Sequence, residues 1–238
     1  MTSFQADLPK NAQTQVQQDS GRQHASATAR NRQPILEVLR KILPQESEEA
    51  HTVLEIASGT GEHAIYFASQ LRHLYWLPSE PQAEGRVSIQ AWAEAESMQN
   101  LLLPPLNLNV SQQPWPNELS EVSDRLNHLN APIAAIVNIN MIHISPWQAC
   151  QHLMAGAQRT LPYGGVLYLY GPFKRDGEHT APSNEAFDRL LRSRDSRWGI
   201  RDLQDVIAVA EQQELELSEV IEMPANNLSV VFRRLSDC

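Results

Sequence analysis

Glu55-Ile56-Ala57-Ser58-Gly59-Thr60-Gly61 decides how this chain folds. The stretch closes an apolar run, Val53-Leu54-Glu55-Ile56-Ala57, and a helix-like segment follows it. A strand that ends in a glycine turn and feeds a helix presents free backbone N–H groups at the helix N-terminus. Glycine takes positive φ without strain and lets a ligand approach the backbone closely. The spacing predicts a nucleotide-shaped pocket at this turn.

Two patterns compete for that pocket. Gly59-x-Gly61-x-x-Ala64 satisfies the dinucleotide fingerprint, with an acid, Glu80, about 20 residues further on. Glu55-x-x-x-Gly59-x-Gly61 instead resembles the first motif of class I S-adenosylmethionine-dependent methyltransferases. Glu55 discriminates between them. A first strand covered by helices on both faces is expected to be apolar almost throughout, so a carboxylate there needs a reason. The methyltransferase resemblance implies that Glu55 organises the loop and helps hold the methionine ammonium.

Working outward, Ile35, Leu36, Val38, Leu39, Ile42 and Leu43 recur at helical spacing behind Pro34, which reads as an amphipathic helix with proline in its first turn. The first strand is expected at 52–57, its helix at 62–72, a second strand at 74–78 and a helix at 82–99. Leu106-Asn-Leu-Asn-Val110 is strand-like. A helix through Leu119, Val122, Leu126 and Leu129 follows, with Asn117 as its cap. Ile133–Asn140 reads as a buried strand. Ser145-Pro146-Trp147-Gln148 reads as an N-cap with a capping-box glutamine. Strand 166–170, a polar loop over 171–183 and helices at 184–194 and 203–213 come next. Leu215–Ile221 and Leu228–Arg233 alternate as a hairpin turning at Asn226-Asn227. The sum is a doubly wound α/β fold with a mostly parallel, seven-stranded sheet and a final antiparallel strand.

At 238 residues, with 42% hydrophobic and 20% charged residues, the chain is long enough for one α/β domain with appendages. We assign that domain to residues 26–238. Residues 1–25 lack apolar periodicity and are expected to form a mobile tail. The net charge of −9 argues against phosphate-backbone binding, so no nucleic-acid partner is expected. No apolar run reaches membrane-span length, and no signal-peptide h-region is seen. The two cysteines have no metal-ligand spacing and suit a reducing, cytoplasmic compartment. The eight histidines form no His-x-x-x-His pair with an acid partner, so no metal is expected. No oligomeric state is read from the sequence.

Longer polar strings narrow the resemblance. They are Arg30-Asn-x-x-Pro-Ile-Leu36, Val53–His63, Gly171-Pro-Phe-Lys-Arg-Asp-Gly177, His179-Thr-Ala-Pro-Ser-Asn184 and Met223-Pro-Ala-Asn-Asn227. With Asn138-x-Asn-Met-Ile-His143, Arg194-Asp195 and Trp198–Asp202 they span nearly the whole chain after residue 26. In these strings the chain resembles the DUF938 (UPF0585) family of methyltransferase-like proteins. The resemblance implies S-adenosylmethionine as cofactor and a small-molecule acceptor. Three positions depart from the family's usual pattern: Glu80 and Asn109 stand where aspartate is usual, and Ala29 where glutamate is.

The resemblance also implies roles. Ser58, Gly59 and Gly61 form the cofactor loop, Glu80 takes the ribose hydroxyls, and Asn109-Val110 meets adenine. Arg30 and Asn31 belong to an N-terminal segment that covers the cofactor. Asn138 and Asn140 end a buried strand, where amides need partners. Asn138 is assigned to the cofactor and Asn140 to the substrate. His143 is the first choice for a general base, ahead of Lys174 and Asp176. The rim after the fifth strand is expected to bind the acceptor through Tyr170, Lys174, Arg175, His179, Asn184, Asn226 and Asn227. Lys174 with Arg175 points to an anionic acceptor. A nicotinamide oxidoreductase and a catalytically silent binding protein are the alternatives.

Overall fold

A computed structural model describes residues 21–112 and 120–235. Nine strands and seven helices alternate along the described residues. The strands are β1 (His51–Ile56), β2 (Leu74–Pro78), β3 (Ile133–Ile139), β4 (Val166–Gly171), β5 (Phe173–Arg175), β6 (Glu178–His179), β7 (Arg201–Asp202), β8 (Leu215–Met223) and β9 (Asn227–Arg234). The helices are α1 (Ser26–Ile42), α2 (Glu62–Gln70), α3 (Ala83–Glu96), α4 (Ser120–Leu129), α5 (Trp147–Thr160), α6 (Pro182–Arg194) and α7 (Leu203–Glu211).

The main sheet has six strands in the order β2-β1-β3-β4-β9-β8. β1 pairs in parallel with β2 and β3, and β3 with β4. β9 runs antiparallel to both β4 and β8. The strand order reverses at β1, so a crevice opens beyond the carboxyl ends of β1 and β3, where doubly wound sheets bind ligands.

Each strand alternates its side chains between two apolar layers. Leu54, Ile56, Ile136 and Leu167 face α5 and α7. Val53, Val137 and Tyr168 face α1 and α2. Covering both faces explains why β1, β3 and β4 read as continuous apolar runs. No helix among the described residues is long and apolar enough to cross a membrane.

Several expectations give way to tertiary packing. The expected strand at 106–110 forms only the isolated bridge Ser79–Leu106, just past the end of β2, and Trp76–Leu101 is another single bridge. Leu106, Leu108 and Val110 still alternate inward into the core, but the main sheet counts six strands, not seven. α1 starts at Ser26, so Pro34 lies inside it rather than in its first turn. The proline ring withholds one i→i−4 hydrogen bond, and burial of Ile35, Leu36 and Leu39 against α2 and the sheet holds the helix together.

The capping box at Ser145 does not form. Ser145 Oγ donates to the Met141 carbonyl instead, and Pro146 is the residue before α5. The polar loop expected over 171–183 contains the β5–β6 hairpin, which joins β7 in a second, three-stranded sheet. Residues 21–25, assigned to the tail, are held by the domain. Gln23 N donates to Ser88 Oγ at 2.8 Å, and Trp92 Nε1 donates to the Gln23 carbonyl at 3.1 Å. Residues 1–20 and Asn117 lie outside the described residues.

Candidate functional site

The turn after β1 is built from left-handed backbone. Ala57, Gly59 and Gly61 have φ of 57°, 56° and 88°. A non-glycine residue at positive φ costs conformational energy and marks a site worth attention. Sequence reading missed Ala57, because alanine carries no signal for that conformation. The two glycines serve different ends. A Cβ on Gly59 would meet nothing within 4 Å, so its free side is open to a ligand. A Cβ on Gly61 would stand 2.8 Å from Ile89 Cγ1 and 2.9 Å from Ile89 Cα. Gly61 therefore lets α3 pack closely against the turn.

A cleft of about 350 Å³ opens beside this turn. Gly59, Glu80, Asn109 and Val110, all assigned to the cofactor from sequence, line it together. Its apolar lining includes Leu108 and Met141. Glu80 is buried and fixed at both oxygens. Oε2 accepts from Gly59 N at 2.9 Å and Oε1 from Gln82 N at 3.0 Å. Each carboxylate oxygen keeps a further lone pair, so Glu80 can brace the turn and still accept hydroxyls from a ligand. Asn109 Oδ1 accepts from Ser111 N at 2.9 Å, which shapes the turn after Leu108 and leaves its amide nitrogen for a ligand.

The remaining cofactor assignments do not line the cleft. Glu55 faces the α1–α2 layer, where Trp76 Nε1 donates to its carboxyl at 2.6 Å. Burial raises its pKa to about 7, against the opposing pull of the Trp76 bond. It organises the turn through its backbone: its carbonyl accepts from Ser79 N at 2.9 Å and Ser79 Oγ at 2.8 Å. Ser58 is buried within the turn and Ser58 N donates to the Ser79 carbonyl. Asn138 Nδ2 donates to the Ile56 carbonyl at 3.0 Å, while its Oδ1 is buried without a partner. Arg30 and Asn31 lie on α1. Arg30 is exposed and Asn31 is buried.

Four of the catalytic and substrate assignments, His143, Lys174, Arg175 and Asp176, do not line the cleft. His143 is 1% exposed, and burial plus the Arg201 charge lower its pKa to about 3. It packs edge-on against Phe173 with ring centroids 5.0 Å apart. So weak a base is poorly matched to proton abstraction near neutrality. Asp176 is an exposed hairpin-tip residue at φ 53°. Lys174 and Arg175 are consecutive on β5, and side chains alternate on a strand. Lys174 turns to Asp188, 3.6 Å away, and Arg175 to Glu222, 2.7 Å away. They cannot grip one anion together. Lys174 and Asp176 instead line a separate cavity of about 660 Å³ that shares no residue with the cleft.

Asp188 on α6, assigned no role from the sequence, is a hub. It is buried, takes Ile200 N at 2.6 Å and Arg192 Nε at 3.1 Å, and lies 3.4 Å from His179. Burial alone would raise its pKa, but the Ile200 and Arg192 hydrogen bonds outweigh that and lower it. Its only sequence signal was an acid among basic residues on a helix.

The other substrate assignments are joined across the sheet edge. Asn184 Nδ2 donates to the Asn226 carbonyl at 2.9 Å, and Asn226 Nδ2 to Ser183 Oγ at 3.2 Å. Burial raises the Tyr170 pKa, against the opposing pull of the Asn31 and Asn227 side chains, and Asn227 Nδ2 donates to the Pro224 carbonyl at 3.0 Å. Asn31 Oδ1 meets His63 Nε2 at 2.8 Å. Asn140, at φ 63°, stands at the end of β3 beside Gly171 and His143.

Comparison with known proteins matches this geometry at the level of fold. The chain is similar to an O-methyltransferase family protein from Burkholderia thailandensis, with a TM-score of 0.67 and 13% identity over 88% of this chain and 58% of that one. It is similar to an O-methyltransferase family 2 protein from Planctomyces limnophilus in complex with apigenin, with a TM-score of 0.67 and 17% identity over 88% and 60%. It is also similar to CalO1, a methyltransferase in calicheamicin biosynthesis in its SAH-bound form, with a TM-score of 0.59 and 12% identity over 84% and 54%. The chain spans less than two thirds of each of these proteins. The family described as "Protein of unknown function (DUF938)" matches residues 22–234. That match covers the sheet, both helical layers and the cleft: the chain is a member of the DUF938 family, built on a Rossmann-like methyltransferase fold.

Proposed function

We propose that this protein is an S-adenosylmethionine-dependent methyltransferase acting on a small molecule. The observation that carries the reading is the Glu80 carboxylate. It is buried at the end of β2, turned into the cleft beside the open side of Gly59, and set opposite an apolar slot of Leu108, Val110 and Met141. A carboxylate there accepts ribose hydroxyls, the apolar slot takes the adenine, and the Asn109 amide meets the ring edge. The cofactor, when bound, supplies a methyl group on an already activated sulfonium. The chain's part is to hold donor and acceptor in line and dry, which proximity makes worth about 7–11 kcal/mol.

The charges favour this cofactor over a dinucleotide. A dinucleotide places its pyrophosphate on the N-terminus of the helix after β1. In this chain Glu62 opens that helix, and its carboxylate already accepts from Ala25 N and lies 3.2 Å from His24 Nδ1. A second anion would meet like charge there, whereas a sulfonium cation is drawn by Glu62 and Glu80. The anionic acceptor expected from Lys174 and Arg175 loses its support, because both cations are paired elsewhere.

Crystals soaked with S-adenosylhomocysteine test the reading. Adenine against Val110 with ribose oxygens on Glu80 is the expected result. Adenosine bound anywhere else overturns it.

A further inference from the structure

The cavity of about 660 Å³ beside β5 and β7 shares no lining residue with the cleft. Three cations line it, Lys174, Arg192 and Arg201. Lys174 and Arg192 share one buried carboxylate, Asp188. The Lys174 ammonium stands 3.6 Å from it, beyond hydrogen-bond length, which leaves the ammonium protons for another acceptor. Arg201 donates through Nε to the Ile142 carbonyl at 2.9 Å, and through Nη2 to the Ser145 and Arg197 carbonyls at 2.6 and 2.9 Å. Those bonds fix the guanidinium without neutralising it. Among the described residues no ion pair reaches it. The backbone is shaped around these charges. At Gly199, φ 151°, a Cβ would stand 2.7 Å from both Arg192 Nη2 and Asp188 Oδ1, so only glycine lets that pair lie where it does.

Opposite charge stands beside the cations. Lys174 and Asp202 are registered neighbours on β5 and β7, and both line the cavity. Paired strands lie about 4.8 Å apart, close enough for an ion pair, but the two groups turn to other partners. Lys174 faces Asp188, while the Asp202 oxygens accept from Gly177 N at 2.6 Å and Gln204 N at 2.9 Å. Each Asp202 oxygen keeps a further lone pair. Asp176 and Asp205 add two exposed acids to the lining. A simple anion drawn to the cations meets these acids, and a simple cation meets the reverse. A ligand with both charges on neighbouring atoms satisfies both. Trp147 and Ile200 supply an apolar wall.

We propose that this cavity binds a free α-amino acid with an apolar side chain. Its carboxylate lies on Lys174 and Arg201, its ammonium on Asp202, and its side chain against Trp147 and Ile200. The site stands outside the cleft, so it does not rest on the methyltransferase reading.

Calorimetric titration of the full chain with L-phenylalanine and with L-leucine tests the site. Both should bind. N-acetyl-L-phenylalanine, which lacks the ammonium, and 2-phenylethylamine, which lacks the carboxylate, should each bind at least about tenfold more weakly than L-phenylalanine. Lys174→Gln and Asp202→Asn should each weaken L-phenylalanine binding at least about tenfold. Asp202 caps α7, and asparagine caps as well as aspartate, so the unliganded Tm of that variant checks its fold. Saturating S-adenosylhomocysteine, itself an amino-acid conjugate, should leave the affinity unchanged. No binding of either amino acid, or equal binding of the two analogues, overturns the proposal. So does displacement by S-adenosylhomocysteine, which would put the amino acid in the cleft. Should a variant fail to fold, wild-type crystals soaked with L-phenylalanine decide the place: density between Lys174 and Asp202 is expected, and density elsewhere overturns the site. Failure of S-adenosylhomocysteine to bind at all counts against the methyltransferase reading and leaves the amino-acid titrations standing.

Discussion

The Cβ that Gly85 lacks would stand 2.6 Å from Glu80 Cγ and 2.9 Å from the Gly59 carbonyl oxygen. α3 therefore passes so close behind the cleft that only glycine fits. A glycine inside a helix costs roughly 1 kcal/mol against alanine, and here the cost makes room for the Glu80 side chain and the turn it braces.

Gly85→Ala should displace Glu80. One of the two contacts is backbone, which cannot swing away, so overpacking should destabilise the fold by about 1–3 kcal/mol. Urea unfolding measures that loss. S-adenosylhomocysteine affinity should fall by about tenfold or more. Unchanged affinity would mean that Glu80 does not hold the ribose.

Glu80→Gln keeps the volume and removes the charge. Hydrogen bonds to a charged group are worth about 1.5–3 kcal/mol each, so binding of S-adenosylhomocysteine should weaken at least about tenfold. Glu80→Asp, the family's usual residue by resemblance, should retain binding. Equal loss in both variants would point to packing and not to charge.

Arg175→Ala and Asp188→Ala should separate cleanly. Arg175 and Glu222 are both exposed, and such pairs contribute about 0–1 kcal/mol, so Tm should barely move. Asp188→Ala orphans the buried Ile200 N–H and loosens Lys174 and Arg192, which should cost about 3 kcal/mol or more. Thermal melts of the two variants decide it, and similar shifts would contradict the hub.

Glu55 should leave a mark on stability against pH. Its folded pKa of about 7 lies above the usual value of 4.5. Between those values the folded state holds a proton that the unfolded chain has released. Stability from this group should therefore fall as pH rises from 4.5 to 7 and level off above, by at most about 3 kcal/mol. Glu55→Gln should flatten that slope in denaturant titrations. A slope kept by the variant would belong to other groups.

Much of this was legible locally. Val53–Gly61 declares a strand, a glycine turn and a helix, and the structure supplies β1, the left-handed turn and α2. Glu80 was placed by its distance from that turn. The hairpin at Asn226-Asn227 followed from alternation on either side. What sequence hid depends on partners far along the chain. Leu106–Val110 alternates like a strand, but its backbone finds only one bridging partner, Ser79 just past β2. Ser145 is an ideal cap by composition, but the Met141 carbonyl lies within its reach. The opposite outlook of Lys174 and Arg175 was foreseeable from strand alternation, once residues 173–175 were known to be a strand. Asn184 and Asn226 meet only because α6 packs against the turn between β8 and β9.

Calorimetric titration with S-adenosylhomocysteine, and separately with NAD, decides which nucleotide the cleft takes. We expect micromolar binding of S-adenosylhomocysteine that Glu80→Gln weakens, and no binding of NAD. Binding of NAD without S-adenosylhomocysteine, or binding of S-adenosylhomocysteine indifferent to Glu80, would contradict it.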